Sequence, residues 1–510
     1  GNQPADISVI HRRHYCYAAL REFISNGKAE SRFGLTWKVI SAFRQHPHTA
    51  LAAVPEAVVR PKPADCRQRR RGLRCARHGR AGKRRVPGGR RMTPHRPDHA
   101  AQAASAHVDP SRLLDSIDAL AAFGARTDGG VDRPALSARD IEARRHLIER
   151  AHALGCTVTT DDCANLFIRR AGTEDIAPVM TGSHIDTQPT GGKLDGCYGV
   201  LAGIECIAAL NDAGIRTRRP LDVAIWTNEE GTRFQPGAMG SSAFVDPALL
   251  ERYRDARDAS GTTLAAALDA HRQTFPTLGK HDAQQPTCAF IELHIEQGPQ
   301  LELASVPLGV VCGIQGVRWH AITCEGVAAH AGTTPMHARH DAMTLAIAVR
   351  AEIEAFATAL GQEHTRVTFG RWSVAPNSIN TIASVVTFTV DFRHPDTDVL
   401  TAFDEQLAQC AELHRVAVEP LFSHAPVCFD DALVARLADA CDALAAPTLA
   451  LTSGAFHDAM YLARHCPTAM LFVPSRGGIS HNPLESTDDD HLVLGTRALA
   501  HCLATLCNEP

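Results

Sequence analysis

Four short segments of this 510-residue chain carry side chains that bind metal ions or move protons. TGSHIDT holds His184 and Asp186, with Asp195 shortly after. NEEG holds Glu229 and Glu230. HIEQG holds His294 and Glu296, and GISHNP holds His481. Imidazole and carboxylate donors suit zinc, and nickel, cobalt and manganese accept the same set. No cysteine is among them, which argues against a purely structural zinc site. The three imidazoles and the carboxylates exceed what one tetrahedral ion takes. Two ions sharing a bridging carboxylate would use them all. Such a pair generates hydroxide and polarises a carbonyl together.

Each segment follows an apolar run of strand length, at 176–180, 221–227, 288–293 and 469–473. Helical patterns separate these runs. Short apolar runs with intervening helices predict an α/β sheet covered on both faces. Ligands of such sheets bind beyond the carboxyl ends of the strands. The four segments should therefore deliver their polar residues to one sheet edge.

Between 314 and 423 the rhythm changes. It reads strand (317–325), helix (335–360), strand (366–375), strand (381–392), helix (397–415), strand (416–422). That β-α-β-β-α-β order is the ferredoxin-like motif. Val386, Phe388 and Val390 alternate with Thr387, Thr389 and Asp391, as a half-buried strand requires. The α/β pattern resumes afterwards, so this segment is an inserted second domain. The expected organisation is an extension (1–107), a catalytic domain in two parts (108–313 and 424–510) and the insert (314–423).

Each candidate has a plainer reading by itself. With 27 histidines in the chain, chance placement at a strand end is easy. Glu229 and Glu230 could simply favour a helix N-terminus. The glycines around all four strand ends (Gly182, Gly196, Gly231, Gly298) bring the metal reading level with these alternatives.

Composition sets the outer bounds. The formal charge of −4 hides a division: residues 1–100 hold 22 Lys+Arg against 6 Asp+Glu, and residues 101–510 hold 30 against 50. A hydrophobic share of 45% and a charged share of 21% exclude a wholly disordered or collagen-like chain. The Arg-, Pro- and Gly-rich stretch 61–91 suggests a nucleic-acid arm, a solvated tail or translated GC-rich upstream DNA. The first Met is Met92. The extension is read as a basic tail, disordered or non-native, and no nucleic-acid partner is expected. No apolar run of about 18 residues predicts a membrane span, and no secretory pattern stands at the start. The 16 scattered cysteines lack any C-x-x-C pair and fit reduced thiols in a cytoplasm.

The motifs TGSHIDTQPTGGKLDGCYGVLAGIE, TNEEGTRFQPGAMGSSAF, HIEQGPQLE, AAHAGTTPM, PNSIN, DFRH, SGAFHDAM and GISHNP, in this order, resemble the amidase/hydantoinase/carbamoylase family of di-zinc metallohydrolases. The resemblance runs from about residue 108 to 507. It implies a zinc-peptidase-like α/β catalytic domain with a mixed sheet, plus a ferredoxin-like α+β lid through which the chain forms a homodimer. It implies hydrolysis of a carbamoyl or ureido C–N bond in a small, carboxylate-bearing substrate. An N-carbamoyl-L-amino acid is expected first, with allantoate or N-carbamoyl-β-alanine as alternatives and a dipeptidase or non-catalytic protein more remote.

The same resemblance implies roles. His184 and His294 would bind one divalent ion, and Glu230 and His481 the other. Asp195 would bridge them. The ions would be zinc, with manganese, cobalt or nickel as substitutes. Glu229 would be the general base, and Asp186 would hold the His184 imidazole. His330 would stabilise the oxyanion from a partner subunit. Asn380 and Arg393 would grip the substrate carboxylate, although a salt bridge to Asp391 or Asp396 is the plainer reading of Arg393. Gln297 would touch substrate or a ligand. Phe456 departs from the glycine of many relatives. It either reshapes the substrate pocket or packs away from it.

Overall fold

A computed structural model describes residues 99–282, 285–361 and 363–509. The chain divides into two units, Gly1–Met92 and Thr93–Pro510. The Arg-rich stretch lies outside the described residues. The end of the expected extension does not. His99–Ala106 forms helix α1, with Ala101 and Ala104 fully buried, and packs against the C-terminal helix Asp489–Asn508. A helix therefore lies before the boundary expected at 108. Small alanines let the two helices approach closely, a local signal that the neighbouring charge run conceals.

Along the chain follow β1 (Thr157–Thr160), β2 (Leu166–Arg170), β3 (Val179–His184), helix α2 (Cys197–Asp212), β4 (Leu221–Trp226), β5 (Gly279–Lys280), β6 (Ala289–Ile295) and β7 (Leu308–Ile314). The insert contributes β8 (Gly316–Glu325), α3 (Ala342–Ala359), β9 (Arg366–Thr368), β10 (Trp372–Ala375), β11 (Val385–His394), α4 (Thr397–His414) and β12 (Ala417–His424). Then β13 (Val427–Cys428), β14 (Thr448–Ser453) and β15 (Thr468–Val473) return to the first sheet. Its order is β13-β7-β15-β6-β3-β4-β2-β1-β5, with β14 beside β7.

The heart of that sheet is parallel: β15, β6, β3 and β4 are neighbours running in one direction. All four are buried along their full length, as strands covered by helices on both faces must be. Helix α2 is buried continuously from Cys197 to Leu210, packed between the sheet and the terminal helices. The stretch has no water-facing side, and its single charge, Glu205, is paired with Arg112 at 2.7 Å. Fully burying each of its larger aliphatic side chains is worth about 1.5–3 kcal/mol.

β3 lies later than the run expected at 176–180. Pro178 lacks the N–H a ladder needs, and the strand continues through Thr181, Gly182 and Ser183 to His184. Gly182 makes that continuation feasible. Its φ is +144°, and a Cβ there would lie 2.0 Å from the Ala224 carbonyl oxygen of β4.

In the insert, β8 sits between β11 and β12, and β10 and β9 pair with β11, all antiparallel. This is the ferredoxin-like arrangement the element order predicts. Val386, Phe388, Val390 and Phe392 all point into a core shared with α3 and α4. Phe392 stacks on Phe403 of α4 at 4.1 Å. Three boundaries differ from expectation. Helix α3 starts at Ala342, where the Asp341 side chain caps the Met343 amide. The strand expected over 366–375 is two short strands, β9 and β10. The strand expected from 381 begins at Val385, leaving Asn380 in an exposed loop.

Candidate active site

Parallel pairing puts the carboxyl ends of β3, β4, β6 and β15 at one edge, and the chemistry gathers there. His184 ends β3, and His294 lies near the end of β6. Glu229 and Glu230 follow β4, and His481 follows β15 in the next loop. Asp195 comes from the turn before α2. Gly196, at φ +65°, follows it, and a Cβ there would lie 2.4 Å from the His184 ring. Only a glycine admits the imidazole so close to the helix start.

Asp195 is the centre of the cluster. Its Oδ1 lies 3.2 Å from His294 Nε2 and 3.9 Å from His184 Nε2. Its Oδ2 lies 3.1 Å from His481 Nε2. His481 Nε2 is 3.7 Å from Glu230 Oε2, and His184 Nε2 is 3.6 Å from Glu229 Oε2. Donor atoms of His184, Asp195 and His294 lie within 4.8 Å of one another, and so do those of Asp195, Glu230 and His481. The two groups share Asp195.

The imidazoles are aimed by the main chain. His184 Nδ1 donates to the Asp186 carbonyl at 2.9 Å, and His294 Nδ1 donates to the Ile295 carbonyl at 2.8 Å. A carbonyl only accepts, so each ring carries a proton on Nδ1 and turns Nε2 to the cluster. The carboxylates are short of counter-charge. Burial, then neighbouring Asp458 and Glu230, pushes Glu229 well above the usual carboxylate range. Burial, then Asp195, pushes Glu230 up to about 8. Burial alone would raise Asp195, but hydrogen bonds from His294 and His481 carry it well below its ordinary value. The same bonds raise both imidazoles to about 9, in His294 against the effect of burial. A buried set of hard and borderline donors with surplus negative charge fits divalent cations.

Several residues act differently from the sequence reading. Asp186 was expected to hold the His184 ring with its carboxylate, which is 3.9 Å away. Its backbone carbonyl does so instead. The carboxylate accepts the Glu229 and Glu230 amides, at 3.2 Å each. It therefore holds the NEEG turn against β3. Glu296 leaves the cluster altogether and accepts the Gln300 and Leu301 amides at 2.7 and 2.8 Å.

Gln297 sits inside the cluster. Its Nε2 is 3.0 Å from Asp195 Oδ2 and 3.4 Å from His481 Nε2. Sequence reasoning missed Glu485. Its Oε1 accepts the Leu194 and Asp195 amides, and its Oε2 accepts the Ser480 hydroxyl at 2.7 Å. It ties the Asp195 turn to the His481 loop. Its place four residues after His481 was the available signal. Gln188 was also missed; its amides donate to both Glu230 oxygens, at 3.1 and 2.6 Å.

The insert residues stand apart from this cluster. His330 and Thr381 form a bridge beside Asn380, whose carbonyl accepts the Ala331 amide at 2.9 Å. His330 and Asn380 are exposed, and among the described residues no hydrogen bond or ion pair joins either to the acidic edge. Arg393 pairs with Asp391 at 2.8 Å, the plainer of its two readings, and also donates to the Gly454 carbonyl at 2.7 Å. Phe456 packs among aromatic rings: it meets Phe422 edge-on at 5.4 Å, Trp319 at 6.4 Å and His424 at 6.3 Å. The Arg393 guanidinium lies 5.8 Å from its ring centre.

The profile of the peptidase family M20/M25/M40 matches residues 180–505. An N-carbamoyl-L-amino-acid amidohydrolase of Rhizobium meliloti is 35% identical over 414 residues, covering 79% of this chain and 98% of that protein. An allantoate amidohydrolase of Bacillus subtilis is 35% identical over 405 residues, covering 77% and 97%. The crystal structure of an amidase of the hydantoinase/carbamoylase family from Burkholderia multivorans aligns with a TM-score of 0.74 and 42% identity, covering 79% of this chain and 98% of that one. A mixed sheet with an inserted domain and an imidazole-carboxylate edge places the molecule in the class of metal-dependent hydrolases. The chain belongs to peptidase family M20/M25/M40 and, within it, to the amidases of the hydantoinase/carbamoylase family.

Proposed function

We propose that the chain is a carbamoyl/ureido amidohydrolase that converts an N-carbamoyl-L-amino acid to the amino acid, ammonia and CO₂. The observation that carries this reading is Asp195, whose two oxygens face two separate donor groups. The names of the relatives supply the substrate class.

His184, Asp195 and His294 would hold one divalent ion, and Asp195, Glu230 and His481 the other, zinc being the ion the donors suit best. Bound there, such ions supply Lewis acidity to the scissile carbonyl and to the attacking water. Glu229 takes a proton from that water and passes it to the leaving nitrogen. Its position 3.6 Å from His184 Nε2 and next to Glu230 in the chain suits a group that carries the proton between the two events. Asp186 keeps Glu229 in place through the backbone.

Arg393 and Asn380 bind the substrate carboxylate. Asp391 engages Nε and Nη2 of Arg393 and the Gly454 carbonyl engages Nη1, which leaves two of the five N–H groups to meet a carboxylate. Arg393 spans the insert and the loop after β14, which supports closure of the insert over the substrate. His330 stabilises the oxyanion from a second copy of the chain. Supporting this, the exposed apolar residues Val327 and Met336 flank it in sequence, and exposed Ile379 lies two residues before its bridge partner Thr381; together they offer a dimer face. The free thiols among the described cysteines support a cytoplasmic setting. Among the described residues no helix is long and apolar enough to cross a membrane.

The test is a substrate panel on metal-loaded protein: N-carbamoyl-L-amino acids, N-carbamoyl-β-alanine, allantoate and dipeptides. Preference for the first group is expected. Preference for allantoate would move the assignment to the other relative, and exclusive dipeptide cleavage would overturn it. For His330, mixed dimers of Glu229→Gln and His330→Ala chains should regain activity. No recovery would place His330 in its own subunit's site.

A further inference from the structure

We propose that Glu352, Cys410 and His414 form a second metal site in the insert, taking one divalent transition-metal ion of the zinc type and clipping α3 to α4.

Cys410 and His414 stand four residues apart on α4, one turn above each other on the same face. Glu352 faces them from α3. One donor atom from each lies within 4.8 Å of the other two. His414 Nε2 is 2.9 Å from Glu352 Oε2, so the imidazole already points at the carboxylate. Gln406, one turn earlier on α4, donates to Glu352 Oε1 at 3.1 Å. That bond fixes the carboxylate and leaves Oε2 on the side of the histidine. A bound ligand set oriented by an outer amide is how protein metal sites are commonly braced.

Thiolate, imidazole and carboxylate together suit a borderline-soft ion, zinc above magnesium or calcium. Three protein ligands leave one tetrahedral position for water. Access comes from the solvent side, where the His414 and Glu352 side chains are 22% and 34% exposed. Cys410 lies beneath them, 1% exposed. Without a cation the thiol holds its proton: burial first, and Glu352 second, push it up to about 12. Binding would release that proton to solvent and form the sulfur–metal bond, with no change of oxidation state. The plainer account makes Glu352–His414 an interhelix ion pair over a core thiol. That account predicts no affinity for metal.

Cobalt(II) titration of the full chain separates the two. The active-site donors include no sulfur, so the part of a near-ultraviolet sulfur-to-cobalt charge-transfer band that depends on Cys410 and His414 reports this cluster. That part of the band should appear in the wild type with the first equivalent beyond the active site and be lost in Cys410→Ser and in His414→Gln. Both variants should bind about one equivalent of Co²⁺ fewer than wild type and keep wild-type amide turnover. Should Cys410→Ser misfold, the partly exposed His414→Gln carries the same comparison. A cobalt-saturated wild type without the band, or a band undiminished in His414→Gln, would overturn the proposal.

Discussion

His481 Nε2 lies 3.1 Å from Asp195 Oδ2, the carboxylate oxygen opposite the one that meets His294. A carboxylate divided in this way links two donor groups that neither β6 nor the last loop could link alone. Asp195→Asn should therefore lose more than one ion's ligand. Metal analysis should show both ions depleted, and zinc should no longer raise the melting temperature. In the wild type, zinc at about a hundred times its Kd should add about 2.7 kcal/mol of stability. Full metal retention in Asp195→Asn would remove the bridging role.

Glu229→Gln should keep its metals and its melting temperature. It preserves size, and the amide still fits the turn held by Asp186. Turnover should fall by roughly 10²–10⁴-fold, the span attributed to general acid–base catalysis. Steady-state kinetics on the preferred substrate, with metal content measured in parallel, would check this. Near-normal turnover would exclude Glu229 as the base.

Phe456→Ala should weaken the junction between the insert and the catalytic half. The ring is only partly buried, so the loss should be about 2 kcal/mol, below the ~3–5 kcal/mol of a fully buried aromatic. Arg393, which lies over that ring, should lose orientation. KM for the carboxylate-bearing substrate should rise more than kcat falls. Unchanged KM with lowered stability would make Phe456 a packing residue only.

His271 and His424 should each take stability away as pH drops below about 6.5, the ordinary histidine value. Burial, then Arg144, lowers His271 to about 3, and burial, then Arg464, lowers His424 to about 4. Between those values and about 6.5 the unfolded chain binds protons that the folded chain refuses. Protonation therefore favours unfolding as pH falls, and the stabilisation is complete only above that window. Each group adds up to about 1.4 kcal/mol per pH unit within it. Urea titrations across the window should show a shallower slope for His271→Leu than for wild type. An equal slope would exclude His271 as a contributor.

The sequence by itself determined which strands form the parallel heart and which four segments meet at its edge. Those features rest on local periodicity and on the rule that a parallel sheet presents its carboxyl ends together. It also carried the alternation of β11, which the buried Val386, Phe388 and Val390 obey. Tertiary structure alone decided the rest. Asp186 and Glu296 have the same chemistry and similar positions after a strand, yet one holds the Glu229–Glu230 amides and the other caps the start of a helix. Glu485 braces Asp195 across almost the whole length of the catalytic domain, and Phe456 meets aromatic partners from the insert. Glu352 finds Cys410 and His414 only once α3 packs on α4. Side-chain type and spacing announce what a residue is able to bind. The direction it points, and the distant partner it meets, are set by packing between elements that no local pattern encodes.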